Sequence, residues 1–193
     1  LSPPNNDRLV RGDTFVKQVG GAELNVAVGV ALLGLRTGVI SKLPSHDMGS
    51  FMKGKIRSYG VSDDFFMYDD SPSARVGIYY YENGAYPRKP KVIYDRANSS
   101  FYSLKIDEIP EKAYTASRCF HTSGITLALS PKVRETTIEM IKRFKAAGTL
   151  VSFDVNFRGN LWTGEEAKEC IEQILPYVDI FFCSEDTARL TFK

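Results

Sequence analysis

The strongest constraint on this chain lies in its second half, where short apolar runs alternate with amphipathic stretches. Residues 118–122, 150–155 and 180–183 read as three strands. Between the first two, Ser130 offers an N-cap and Pro131 fills the first helical position. Val133, Thr137, Met140, Ile141 and Phe144 then recur at helical spacing until Gly148. Between the second and third, Thr163 and Glu166 have capping-box spacing, and Ala167, Cys170, Ile171, Ile174 and Leu175 form one apolar face up to Pro176. This β-α-β-α-β order predicts a parallel sheet covered by helices and connected right-handedly.

Such sheets hold ligands beyond the carboxyl ends of their strands. Those ends carry Thr122-Ser123-Gly124, Asp154-Val155-Asn156-Phe157-Arg158 and Ser184-Glu185-Asp186. On an extended backbone, Asp154, Asn156 and Arg158 point the same way. A carboxylate, an amide and a guanidinium together suit hydroxyl groups and an anion. A capped strand end with a solvated arginine is the alternative. Glu185 either binds a magnesium ion or sits in the first turn of a helix, where its charge is favourable.

The first half centres on Gly20-Gly21. Residues 14–19 alternate as a strand, and residues 22–33 follow as a helix, expected to be buried because residues 26–35 are almost wholly apolar. Gly34 ends that helix. A glycine pair at a strand-to-helix junction permits a sharp turn and leaves free N–H groups for a polar or anionic ligand. It serves equally well as architecture alone. Residues 37–43 read as a strand running into Pro44, residues 48–59 as a helix stopped by Gly60, and residues 61–70 as a connection.

Between residues 74 and 100 the character changes. Two aromatic, β-branched runs, 75–81 and 91–96, flank Asn83-Gly84, Pro87 and Pro90, as in antiparallel strands of a small lid. Alternation puts Tyr79 and Tyr81 on one face and Tyr80 on the other; Tyr94 and Arg96 share a face. Cross-strand packing, or contact between lids of two subunits, explains the tyrosines as well as ligand binding does.

The balance of 25 basic and 23 acidic residues, with a net charge of +2, leaves no electrostatic footprint for nucleic acid or an anionic membrane. No apolar run reaches the ~18 residues of a membrane span. Cys119, Cys170 and Cys183 are few and widely spaced, which suits a reducing cytoplasm rather than a disulfide or zinc framework. His46 and His121 lack metal-ligand spacing and are expected to be structural. Neither a G-x-x-x-x-G-K-[ST] loop nor a G-x-G-x-x-G turn occurs, which argues against a P-loop ATPase and a nicotinamide-dependent dehydrogenase.

Taken together, Gly20-Gly21-Ala22-Glu23-Leu24-Asn25-Val26-Ala27 with Gly34 resembles the amino-terminal signature of ribokinase-like (PfkB) carbohydrate kinases. The run from Ser123 to Pro131, Asp154-Val-Asn-Phe-Arg158 and Ser184-Glu185 resemble its 2-keto-3-deoxygluconate kinase branch. Pro44 stands where the wider family has glycine, and Ser184 where it has asparagine. The resemblance implies an α/β fold with a doubly wound, mainly parallel sheet and a β-sheet lid. Residues 1–19 and 74–100 would form the lid, and residues 20–73 and 101–193 the core.

It also implies ATP-dependent phosphorylation of 2-keto-3-deoxygluconate with magnesium. Gly20, Gly21, Asn25, Tyr79, Tyr94, Arg96 and Arg158 would bind the substrate, supported by Asp154 and Asn156. Ser184 and Glu185 would lie on the nucleotide and magnesium side. A homo-oligomer formed through the lid is expected. Fructokinase or another ribokinase-like kinase, and a non-catalytic sugar-acid binding domain, remain alternatives. The family's C-terminal Gly-Ala-Gly-Asp motif, with its catalytic aspartate, has no counterpart up to Lys193, and the chain starts Leu1-Ser2-Pro3-Pro4 without methionine. It is therefore expected to be the amino-terminal part of the fold and inactive by itself.

Overall fold

Capping chemistry sets the element boundaries in the computed structural model, which describes residues 1–192. The amino-terminal half contains α1 (Ala22–Leu32), β1 (Ser41–Pro44), α2 (Asp47–Ser58), β2 (Phe66–Asp69), β3 (Ile78–Glu82) and β4 (Lys91–Asp95). After two short 3-10 turns come α3 (Glu111–Thr115), β5 (Cys119–Ser123), α4 (Gly124–Ala128) and α5 (Pro131–Ala146). The chain continues through β6 (Leu150–Asp154), α6 (Gly164–Ile174), β7 (Ile180–Phe182) and α7 (Glu185–Thr191).

The second half forms as its sequence pattern predicts. β5, β6 and β7 make a parallel three-stranded sheet with β6 in the centre, Ser123 aligned with Asp154 and Asp154 with Phe182. Ser130 Oγ caps α5 by accepting the Val133 N–H at 3.2 Å, and Thr163 and Glu166 close a reciprocal capping box on α6. Met140, Ile141 and Phe144 of α5 and Ala167, Cys170, Ile171 and Ile174 of α6 bury themselves against Val151, Phe153 and Val155. A positive φ of 79° at Gly148 ends α5, as Gly34 and Gly60 end α1 and α2.

The first half is assembled from smaller pieces. β1 and β2 pair in parallel, and β3 and β4 pair antiparallel with Tyr79 opposite Tyr94. Among the described residues the parallel strands thus lie in two ladders. Leu24 and Ala27 of α1 join Leu43, Ile56, Val61 and Phe66 in a second core, separate from the one beneath β5–β7.

Five expectations need correction. Residues 14–19 form no strand; Val16 makes only an isolated bridge to Ser2, and Pro3 and Pro4 beside it cannot extend a ladder. Residues 61–70 are not merely a connection but contain β2, whose apolar Phe66 and Met67 were masked by acidic neighbours. The first helix is not buried all round: Leu32 and Leu33 are 81% and 80% exposed, because only one side of α1 meets a core. Leu175 falls in a 3-10 turn rather than on the α6 face. Finally, Asn156 has φ 38°, so residues 154–158 are not extended.

Candidate active site

The glycine pair sits where α1 begins. Gly21 is the N-cap, with extended backbone and no side chain to cap the helix, and its carbonyl accepts the Asn25 N–H at 2.8 Å. A Cβ on Gly20 would stand 3.0 Å from the Tyr79 hydroxyl and 3.9 Å from Asn25 Oδ1. The fold therefore brings Gly20, Asn25 and Tyr79 together, although Tyr79 lies more than fifty residues along the chain. Close approach of the β3 tyrosine is a direct reason for glycine at this position.

From Tyr79 the set runs across the ribbon. Its ring lies 6.3 Å from that of Tyr94, and the Arg96 guanidinium carbon sits 4.3 Å from the Tyr94 ring centroid, a cation–π contact. On the opposite face Tyr80 packs edge-on against Phe15 at 5.8 Å. Residues 1–16 hold to β3 as well: the Leu1 carbonyl accepts the Tyr81 N–H at 2.8 Å, and Glu82 Oε2 accepts the Leu9 N–H at 2.8 Å. Burial pushes the Tyr102 phenol up, and the Arg96 charge opposes that shift.

The strand ends form a second polar set. Asp154 Oδ1 accepts the Asn156 N–H at 3.1 Å, a local turn that asparagine tolerates at positive φ. Asp154, Asn156 and Arg158 consequently do not share one face, contrary to the extended reading. Gly124, which opens α4, lies so close to β6 that a Cβ would meet the Val155 carbonyl oxygen at 2.1 Å. His121 Nδ1 contacts Ser152 Oγ at 2.9 Å; burial lowers its pKa, and the charges of Glu23 and Asp154 oppose that shift. His46 caps α2, accepting the Met48 N–H at 3.2 Å. Both histidines have structural partners.

The fold does not connect all the expected residues. Arg158 is exposed, and its Nη1 donates to the neighbouring Phe157 carbonyl at 3.0 Å. Ser184 caps α7 through the Thr187 N–H, and Glu185 pairs with Arg189 one turn on. Among the described residues no group of three His, Cys, Asp or Glu side chains is placed to hold a metal ion. Glu185 itself stands on the surface of α7 in an ion pair. Nor is any helix among the described residues long and apolar enough to cross a membrane, and the three cysteines are free thiols.

One residue of the site carried no role in the sequence reading. Glu23 Oε1 accepts from the Ser123 N–H (3.0 Å), Ser123 Oγ (2.8 Å) and Thr126 Oγ1 (2.7 Å). An acid in the first helical turn is the only local signal, and it says nothing of partners a hundred positions away.

The sequence profile of the pfkB family carbohydrate kinases matches residues 2–193. The 2-dehydro-3-deoxygalactonokinase of Haloferax volcanii is 38% identical over 193 residues, all of this chain and 60% of that protein. The structure of 2-dehydro-3-deoxygluconokinase from Thermotoga maritima superposes with a TM-score of 0.92 at 35% identity, over 97% of this chain and 57% of that one. A sugar kinase from Pyrococcus horikoshii, solved in complex with ATP, superposes with a TM-score of 0.85 at 26% identity, over 99% and 62% of the two chains. The chain spans about half to three fifths of the length of the curated relatives it matches. A glycine-pair turn at the head of α1, parallel strands ending in polar clusters and a profile match over nearly every residue lead to one conclusion: this chain belongs to the pfkB family of carbohydrate kinases.

Proposed function

We propose that the full-length protein phosphorylates a keto-deoxy sugar acid, 2-keto-3-deoxygluconate, at its 6-hydroxyl with ATP as donor. The bond from the γ-phosphorus to the bridging oxygen breaks, a new P–O bond forms to the sugar oxygen, and ADP and the hydroxyl proton are released. The observation that carries this reading is the continuous set Gly20, Asn25, Tyr79, Tyr94 and Arg96. It offers free backbone N–H groups, an amide and a phenol for hydroxyls, and a guanidinium for the carboxylate that a neutral sugar lacks. Gly21 belongs to the same turn. Arg158 is assigned to the acid end as a second cation, supported by Asp154 and Asn156 at the tip of β6. Ser184 and Glu185 are assigned to the nucleotide side.

In this reading β3–β4 and residues 1–19 act as a lid over a core of residues 20–73 and 101–193, and the two parallel ladders belong to one doubly wound sheet. The five exposed residues of β4 provide a surface for pairing lids of two subunits. Three free cysteines fit a reducing cytoplasm. Magnesium enters only as the expected companion of ATP, whose phosphates would supply most of its ligands, and no step is assigned to it. No described residue is assigned as the general base.

A panel of 2-keto-3-deoxygluconate, its galactonate epimer, fructose and ribose, offered with ATP to the full-length protein, tests the reading. The 38% identity to a galactonate-epimer kinase makes that epimer the second substrate reading. Faster turnover of fructose or ribose would overturn the sugar-acid assignment. Arg96→Ala should lower kcat/KM for the keto acid about 10- to 100-fold, the loss of a charge-assisted pair, with the KM for ATP unchanged. Equal effects on both substrates would remove Arg96 from the acid end.

A further inference from the structure

We propose that Glu23 is a positioning residue: its carboxylate registers the Gly20-Gly21 turn and Asn25 against the carboxyl end of β5, and so sets the geometry of the sugar-acid cradle. The inference rests on the sugar-kinase reading for its effect on catalysis, but not for the lock itself.

α1 draws its apolar anchorage from the small core shared with β1, α2 and β2, through Leu24 and Ala27. That core is separate from the one beneath β5, β6 and β7. Glu23 spans the two. It lies two residues from Gly21 and two from Asn25, and its Oε1 takes three hydrogen bonds from the β5–α4 junction. These donors have been diverted for the purpose. Ser123 occupies the N-cap position of α4, yet its hydroxyl makes no cap and donates to Glu23 instead. Ser123 is fully buried and Thr126 is 9% exposed, so water cannot readily replace the carboxylate. A shift of the α1 N-terminus would break all three bonds at once. The same shift would move Gly20 from the Tyr79 hydroxyl and Asn25 from the cradle. A chain that needed only a helix anchor could use apolar contact; a polar lock beside the site fixes direction as well as distance.

Glutamine keeps an acceptor oxygen at the same reach, whereas aspartate is one methylene short. With the full-length protein, at a temperature where circular dichroism shows every variant folded, Glu23→Ala and Glu23→Asp should raise the KM for the sugar substrate about tenfold, the KM for ATP being unchanged. Glu23→Gln should stay within about threefold of the parent protein. If Glu23→Ala does not fold, Thr126→Val, which removes one donor at constant shape, should still raise the sugar KM about threefold. The lock is also read without turnover, as slow hydrogen exchange of the Ser123 amide that becomes fast in Glu23→Asp. An unchanged sugar KM in folded variants, equal changes in both KM values, or a Ser123 amide that exchanges equally fast in parent and variant would overturn the proposal. A parent protein that rejects sugar acids but accepts a neutral sugar would overturn the substrate reading alone, and the KM split and exchange would then be measured with that sugar.

Discussion

The region from Leu104 to Phe192 and the region before it solve the burial problem differently. In the later region two amphipathic helices close over a three-stranded sheet, and Leu127, Ile141, Val151, Phe153, Val155, Ala167, Ile171 and Ile174 are fully buried. In the earlier region no comparable cluster exists among the described residues; six buried side chains hold α1, α2 and the β1–β2 pair, and β4 is exposed along its whole length. Interiors packed at crystal-like density hold fixed positions, while a thin ribbon of aromatic side chains can adjust to what it covers. The residues proposed to bind the substrate are divided between the two. Tyr79, Tyr94 and Arg96 lie on the ribbon; Asp154 and Asn156 lie at the rigid edge.

The sharpest way to break this contrast is truncation on each side of it. Phe153→Ala removes a fully buried ring at the centre of the three-stranded sheet and should cost about 3–5 kcal/mol in chemical denaturation. Ile93→Ala, on the ribbon and 45% exposed, should cost about 1 kcal/mol or less. Equal losses would show that the ribbon is as tightly held as the sheet.

Glycines give a second test of smaller size. Gly124→Ala sets a methyl group against the Val155 carbonyl, backbone that can yield only by moving α4 away from β6, and should destabilise by about 1–3 kcal/mol. Gly20→Ala meets the tip of the Tyr79 side chain, which can swing aside, so stability should change by about 0.5 kcal/mol or less. The displaced phenol should show instead as a raised KM for the sugar. A large stability loss at Gly20 would mean that the ribbon is locked onto the turn before any ligand arrives.

The same division decides what the sequence could disclose. Where burial is one-sided and helices are properly capped, the pattern is local, and β5, α5, β6, α6 and β7 could be read from it, whereas the short α4, with no side-chain cap, could not. Ser130, Thr163 and Glu166 announce their caps within four positions. β2 is hidden because Asp63, Asp64 and Asp70 flank, and Asp69 ends, a strand only four residues long. The predicted strand at residues 14–19 failed because alternation describes one chain and says nothing of a partner lacking N–H groups. At the site, types and faces were legible for Tyr79, Tyr94 and Arg96, since strand alternation fixes them. The turn at Asn156 was not: an asparagine held at positive φ by Asp154 breaks the alternation that the spacing implied. Glu23 shows the limit most clearly, because its three partners are brought to it only by the packing of two separate cores.

The smallest effect concerns acid. Asp179, just before β7, pairs with Lys145 of α5, and its Oδ2 accepts the Val151 N–H of β6 at 2.8 Å. The hydrogen bond from Lys145 is the larger cause, and that from Val151 the next, that hold this carboxyl below the ordinary aspartate range. A depressed folded-state pKa means that the unfolded chain binds the proton first. The stabilisation is therefore complete above the ordinary aspartate range and is lost as pH falls through the lower folded value. Asp179→Asn should remove that part of the acid limb, so that the gap in denaturation midpoint between parent and variant narrows steadily as the pH is lowered through this range. Asp179 is a joint between α5, β6 and β7, so the effect belongs to the rigid region. A gap that stays constant with pH would show that the aspartate acts there through shape rather than charge.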